Sequence, residues 1–234
     1  MAKYTGTLLI DIGTNGEMVL GNRHRRIACS TAAGPAFEGA KISCGMRGAD
    51  GAVDHVWLEN GEVKYHVIGG KDPVGLCGSG LLDLVAVLLK TGDLDESGYL
   101  EDKAYTLCDN VTLTQKDVRE VQLAKAAIRA GIELMAERMG VEIEDIRQVY
   151  LAGAFGNYMD AASACAIGMI PPVLLDKIRP IGNAAGEGAK LCALSRAEFR
   201  RSQQLADETE FLELASLPQF QDSYVDALDF SEEE

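Results

Sequence analysis

The sequence predicts a mixed α/β protein whose sheet begins with three antiparallel strands and is flanked by helices. Three observations carry that expectation. Two apolar runs enclose a polar tip in Leu8-Leu9-Ile10-Asp11-Ile12-Gly13-Thr14-Asn15-Gly16-Glu17-Met18-Val19-Leu20, which reads as a hairpin. A third strand-like run follows in Arg26-Ile27-Ala28-Cys29-Ser30. The second half of the chain alternates short strand-like runs with segments of helical period, which places helices on the faces of a sheet.

The elements follow in order. A threonine ahead of a proline in Thr31-Ala32-Ala33-Gly34-Pro35-Ala36-Phe37-Glu38-Gly39-Ala40 marks a loop leading into a short helix. Asn60-Gly61, between the β-rich runs at 52–58 and 63–68, marks a second hairpin. Gly75-Leu76-Cys77-Gly78-Ser79-Gly80 opens a helix that is apolar nearly all round until Gly92, so it is expected to be buried on most sides. The turn-rich stretch 93–110 reads as a surface excursion, and an insertion spans about 50–110. Thr114-Gln115-Lys116-Asp117 then starts the longest helix in the manner of a capping box. Val118, Val121, Ile128, Ile132, Met135 and Met139 fall at helical spacing until Gly140 ends it. A strand at 147–152 runs into Gly153-Ala154-Phe155-Gly156-Asn157. Beyond lie a helix at 160–167, a strand at 177–181, a helix of small residues at 182–194, a charged helix at about 197–208 and a strand-like 211–214. Residues 1–221 are expected to form one lobe, and 222–234 an acidic tail.

The candidate chemistry sits at two strand ends that carry glycine. In the hairpin tip, Gly13 and Gly16 permit positive φ and remove Cβ atoms, so successive N–H groups can face one anion while Thr14 and Asn15 add side-chain donors. Phosphate suits such a turn. Asp11 is placed beside it to meet magnesium through water, or to orient an attacking water. An ordinary tight turn closed by Asn-Gly fits the same residues. The second junction, comprising Gly153, Ala154, Phe155, Gly156 and Asn157, offers bare backbone to a base or ribose, with Phe155 as an apolar surface. A helix start with glycines for packing is its alternative. Neighbouring strand ends in a mixed sheet share a crevice, so the two junctions can grip one nucleotide.

Other groups carry weaker signals. Glu38 and Asp83 are carboxylates in small-residue surroundings, which suits a base or a group that supports one. Residues 34–39 have the glycine spacing of a phosphate-binding P-loop, but Ala40 stands where the lysine belongs. Gly75-Leu76-Cys77-Gly78-Ser79-Gly80 lacks the glycine order and preceding strand of a dinucleotide fingerprint. His24, His55 and His66 show no spacing for metal binding or for a nucleophile–base pair, and read as surface or strand residues.

Bulk properties narrow the classes. With 234 residues, 47% hydrophobic and 25% charged, the chain can bury a substantial core. It has no apolar run near the roughly 20 residues of a membrane span and no signal-peptide pattern, so a cytoplasmic location is expected. Six cysteines lack any C-x-x-C pair and are expected to be mostly buried free thiols, with no iron–sulfur cluster in this chain. A formal charge of −14 without a basic stripe argues against nucleic-acid binding. No Lys or Arg follows Arg201, so the acidity gathers at the end of the chain. A solvated tail is the plain reading of that end; a docking surface for a basic partner is the sharper one.

These motifs resemble the actin-like ATPase superfamily, whose ribonuclease-H-like half-domains occur in sugar kinases, acetate kinase and heat-shock ATPase chaperones. Asp11-Ile12-Gly13-Thr14 is similar to its phosphate motif, Leu151-Ala152-Gly153-Ala154-Phe155-Gly156 to its adenosine motif, and 182–193 to a small-residue helix that crosses to the other half. A closer resemblance is to the corrinoid-activating proteins, or reductive activators of corrinoid-dependent methyltransferase systems. It is carried by Asp11-Ile12-Gly13-Thr14-Asn15-Gly16-Glu17-Met18, by 28–40, by 151–158 and by Gly182-Asn183-Ala184-Ala185-Gly186.

That resemblance implies the C-terminal ATPase region of such an activator, using ATP and magnesium to return a cobalt(II) corrinoid protein to cobalt(I) for methyl transfer in anaerobic metabolism. It implies a corrinoid protein as partner and an iron–sulfur domain in an upstream segment or a separate chain, and it leaves room for a homodimer; neither nucleic acid nor a membrane is implied. The family has an earlier Asp-x-Gly-Thr loop, whereas this chain has one, so these residues resemble the second half of a bilobal ATPase and are expected to be inactive or weakly active alone. Three alternatives stay open: a non-catalytic docking module for a corrinoid protein, a lobe of an activator of another low-potential enzyme, and a lobe of a small-molecule kinase.

Overall fold

Alternation builds the first three strands. In the computed structural model, which describes residues 6–230, β1 (Gly6–Ile12) buries Leu8, Ile10 and Ile12 at every second position. It pairs antiparallel with β2 (Gly16–Gly21), and β2 pairs antiparallel with β3 (Arg26–Thr31). The short helix expected after β3 is a single 3₁₀ turn at Ala36–Glu38, in which the Pro35 carbonyl accepts from the N–H groups of both Glu38 and Ala40.

Inserted next are β4 (Ala52–Glu59) and β5 (Glu62–Val67), joined by Asn60 and Gly61 at φ of 53° and 81°, the backbone that makes Asn-Gly favourable in a two-residue hairpin. The two-residue β6 (Gly75–Leu76) adds to β4 in parallel, and α1 (Gly78–Thr91) packs on that small sheet with ten of its residues buried. The stretch read as a turn-rich excursion contains β7 (Ala104–Cys108), which forms a further hairpin with β8 (Val111–Thr114) just beyond it. The long helix α2 (Gln115–Met139) starts on a complete capping box, with Thr114 and Asp117 bonding each other's backbone N–H. It lies on β2 and β3, and at Gly131 a Cβ would sit 2.2 Å from the Met18 side chain.

The remaining elements are β9 (Ile146–Ala152), α3 (Gly153–Tyr158), α4 (Ala161–Ala166), β10 (Ile178–Gly182), α5 (Ala184–Leu194), α6 (Arg196–Asp207), β11 (Thr209–Phe211) and α7 (Pro218–Asp226). They complete a six-stranded sheet of order β10-β9-β1-β2-β3-β11, in which β1, β9 and β10 run parallel. The small-residue helix α5 packs on α6 without burying a residue of its own.

The end of the chain differs from the expected solvated tail. Residue 222 lies within α7, which packs on α2, and the chain beyond it folds back on α2. Gln122 Nε2 donates to the Leu228 carbonyl at 2.9 Å, and the Lys125 ammonium donates to the Asp229 carbonyl. The buried Phe230 lies 5.2 Å from that ammonium, and its N–H donates to the Glu96 carbonyl. Acidic composition concealed the apolar side chains that anchor this strap; residues 231–234 lie outside the described residues.

Half of the cysteines are buried, Cys29, Cys77 and Cys165, and all six are free thiols. Burial pushes the Cys29 thiol up to about 12, so it stays protonated at neutral pH. Among the described residues no helix is long and apolar enough to cross a membrane.

Candidate functional site

The two glycine junctions meet. β1 and β9 are parallel neighbours with Asp11 opposite Ala152, so both strands end at the same edge of the sheet and deliver their turns side by side. Gly153 takes φ of 88°, and a Cβ there would lie 2.6 Å from Asp11 Oδ1 and 2.9 Å from the Ile12 carbonyl. Only glycine fits that contact.

The hairpin tip has three residues, because the last pair of the ladder is Ile12 with Gly16. Its glycines serve a purpose other than the expected one. Neither Gly13 nor Gly16 takes positive φ, and the Gly13 N–H is spent on the Asn15 carbonyl at 2.9 Å rather than turned toward an anion. At Gly16 the requirement is space, since a Cβ would lie 2.7 Å from Thr31 Oγ1; at Gly13 no heavy atom comes within 3.9 Å of one. The tip therefore offers the backbone and side chains of Thr14 and Asn15 as its donors.

Asp11 is half-buried, and desolvation followed by the like charge of Glu17, its cross-strand partner, raises its carboxyl above the usual range. Neither cause is a hydrogen bond to the carboxylate. A divalent cation would relieve both effects, and an aspartate oxygen is a hard donor suited to magnesium. No group of three or more His, Cys, Asp or Glu side chains able to hold a metal ion occurs among the described residues. Magnesium does not require such a group, since it takes one or two carboxylates and completes its shell with phosphate and water.

The second junction is more enclosed than its sequence suggests. Phe155 stacks on Phe37 with centroids 4.8 Å apart and planes 6° from parallel, so one ring face is already covered. Gly78 abuts the Phe37 backbone and the Phe155 ring, with a Cβ position 2.0 Å from the Phe37 carbonyl and 2.9 Å from Phe155 Cδ2. Gly156 is buried against Leu151, while Ala154 and Asn157 are exposed.

Phe37 belongs to the 3₁₀ turn, and the residue after it completes a bridge: Thr14 Oγ1 donates to Glu38 Oε1 at 2.8 Å. The 34–39 loop thus touches the first junction through Glu38 and the second through Phe37. Its sequence shows a glycine spacing that is not a P-loop, and its role emerges only from contacts distant along the chain. Asp83, the other carboxylate singled out, takes a different place. It is buried on α1, where its carboxylate accepts from His55 Nδ1 and from the Val56 N–H. Burial raises its carboxyl, while Ser163, His55 and the Val56 N–H lower it. His55 therefore ties the inserted sheet to α1, and none of these partners lies in the hairpin tip.

A family model described as the C-terminal domain of RACo, the ASKHA domain, matches residues 5–234. The chain is 40% identical to the corrinoid activation enzyme RamQ of Eubacterium limosum, over 93% of this chain and 42% of the relative. It is 32% identical to the Co(II) methylated amine-specific corrinoid protein reductase of Methanosarcina barkeri, over 82% of this chain and 40% of the relative. A solved structure of a reductive activator for corrinoid, iron-sulfur protein superposes with a TM-score of 0.86 at 38% identity, covering 96% of this chain and 40% of that one. The chain spans about two fifths of the length of these relatives. With the antiparallel hairpin, the parallel β1–β9 pair and the match across the described residues in agreement, this chain belongs to the family of the C-terminal ASKHA domain of RACo, with its actin-like ATPase fold.

Proposed function

We propose that the chain is the nucleotide-binding part of an ATP-dependent reductive activator that returns cobalt(II) corrinoid proteins to cobalt(I) for methyl transfer. The observation that carries the nucleotide reading is the meeting of the two junctions at Gly153 and Asp11, which sets a phosphate-type turn and an adenosine-type turn at one sheet edge. In this reading Thr14 and Asn15 contact phosphate between Gly13 and Gly16, and Gly153, Ala154, Phe155, Gly156 and Asn157 form the nucleoside side. Asp11 holds magnesium through water. Magnesium, when bound, supplies positive charge to the phosphates, and Asp11 keeps it beside the turn.

The relatives support the corrinoid partner by their names, one a corrinoid activation enzyme and one a reductase of a Co(II) corrinoid protein. Reduction of cobalt(II) to cobalt(I) takes one electron, which an iron–sulfur domain in an upstream segment or a separate chain would deliver. ATP drives the step by binding one conformation of the activator more tightly than the other. Titration of the chain with ATP in excess magnesium tests the nucleotide reading: weak saturable binding is expected, with Kd on the order of 1 mM or below. No saturable binding at millimolar nucleotide would instead favour a docking module that keeps the ATPase fold as scaffold.

A further inference from the structure

We propose that Glu38 is a positioning residue that makes phosphate binding at the hairpin tip conditional on a divalent cation; the inference rests on the nucleotide reading above. A threonine hydroxyl has one proton, and Thr14 spends it on Glu38. While that bond stands, the Thr14 hydroxyl cannot donate to a phosphate. The same carboxylate oxygen lies 3.9 Å from the Cβ position of Gly13, so it stands close to the tip as well as to Thr14.

Glu38 is held there by its surroundings. Phe37 beside it is buried and stacked on Phe155, and the Pro35 carbonyl accepts from the N–H groups of Glu38 and Ala40. The tip therefore faces carboxylates from two directions in the chain, Asp11 on β1 and Glu38 on the loop, with Glu17 opposite Asp11 across the ladder. The lysine of a P-loop is missing beside them, with Ala40 in its place, and the neighbouring Lys41 pairs with Glu120 at 3.5 Å. An incoming polyphosphate meets like charge, which disfavours binding until a cation is shared between phosphate and carboxylates.

Phosphorus NMR titrations of ADP against the chain, with excess magnesium and with excess EDTA, read this dependence. Glu38→Gln keeps an acceptor for Thr14 and removes the charge; Glu38→Asp keeps the charge and shortens the reach. Removal of magnesium is expected to weaken binding to the parent chain at least about tenfold. Glu38→Gln should cut that ratio several-fold, chiefly through tighter binding in EDTA, and Glu38→Asp should retain it. A Glu38→Gln ratio equal to that of the parent overturns the inference while leaving the nucleotide reading intact. Absence of ADP binding to the parent in magnesium overturns both. Thermal melts of each variant confirm that folded protein is compared.

Discussion

Replacing Asp11 by alanine, in a full-length activator that carries this domain, is expected to lower nucleotide turnover by at least about 100-fold with little change in stability. The two halves of that expectation share one cause. Asp11 sits half-buried opposite Glu17, and the rise of its carboxyl above the usual range shows that the folded environment disfavours its charge. Removing a charge that the fold disfavours does not weaken the fold. In the proposed role the carboxylate acts on magnesium and water beside the phosphates. Steady-state phosphate release and a thermal melt on the same preparation separate the two readouts, and unchanged turnover would remove Asp11 from its role.

The second large effect is expected at Gly153. Alanine there must adopt φ near 88°, which disfavours an L side chain by about 1–2 kcal/mol. Its methyl group would also press on Asp11 Oδ1 at 2.6 Å and on the Ile12 carbonyl at 2.9 Å. A carboxylate can rotate away, but a backbone carbonyl in the middle sheet cannot. The ends of β1 and β9 would be forced apart. A loss of about 2–4 kcal/mol in chemical denaturation is expected, with nucleotide affinity reduced in the protein that remains folded. Gly13→Ala is the control, because nothing lies closer than 3.9 Å to its Cβ position and its φ is not positive; its unfolding free energy should stay within about 0.5 kcal/mol of the parent. Equal unfolding free energies for the two variants would show that the junctions do not meet as described.

Much of the fold was legible because its signals are local. Alternation gave β1 to β3, Asn60-Gly61 gave the second hairpin, and Thr114 with Asp117 gave the start of α2. Elements whose stability comes from tertiary contact were hidden. The strap after α7 reads as acidic tail until Phe230, Gln122 and Lys125 are seen together, more than 100 positions apart in sequence. The site divides the same way. Asp11 and both junctions stand out because a strand end followed by glycine is a pattern of adjacent residues. The reason for the glycines was misread, since φ at Gly13 and Gly16 depends on the loop length that the Ile12–Gly16 pair sets. Glu38 and Phe37 carried no local motif, and their roles rest on contacts with Thr14, 24 residues earlier, and with Phe155. Asp83 stands out in the sequence as a carboxylate among small residues, but its partner His55, an exposed strand residue 28 positions earlier, does not.

The central claim is that one ligand is gripped by two turns that are far apart in sequence and adjacent at the sheet edge. Hydrogen–deuterium exchange of the chain, with and without magnesium ATP at millimolar concentration, tests it most directly. Protection is expected together in the peptides covering residues 11–16 and 153–157, with the 34–39 loop changing alongside them. Protection of one turn without the other, or of neither while nucleotide is bound elsewhere, would contradict the account.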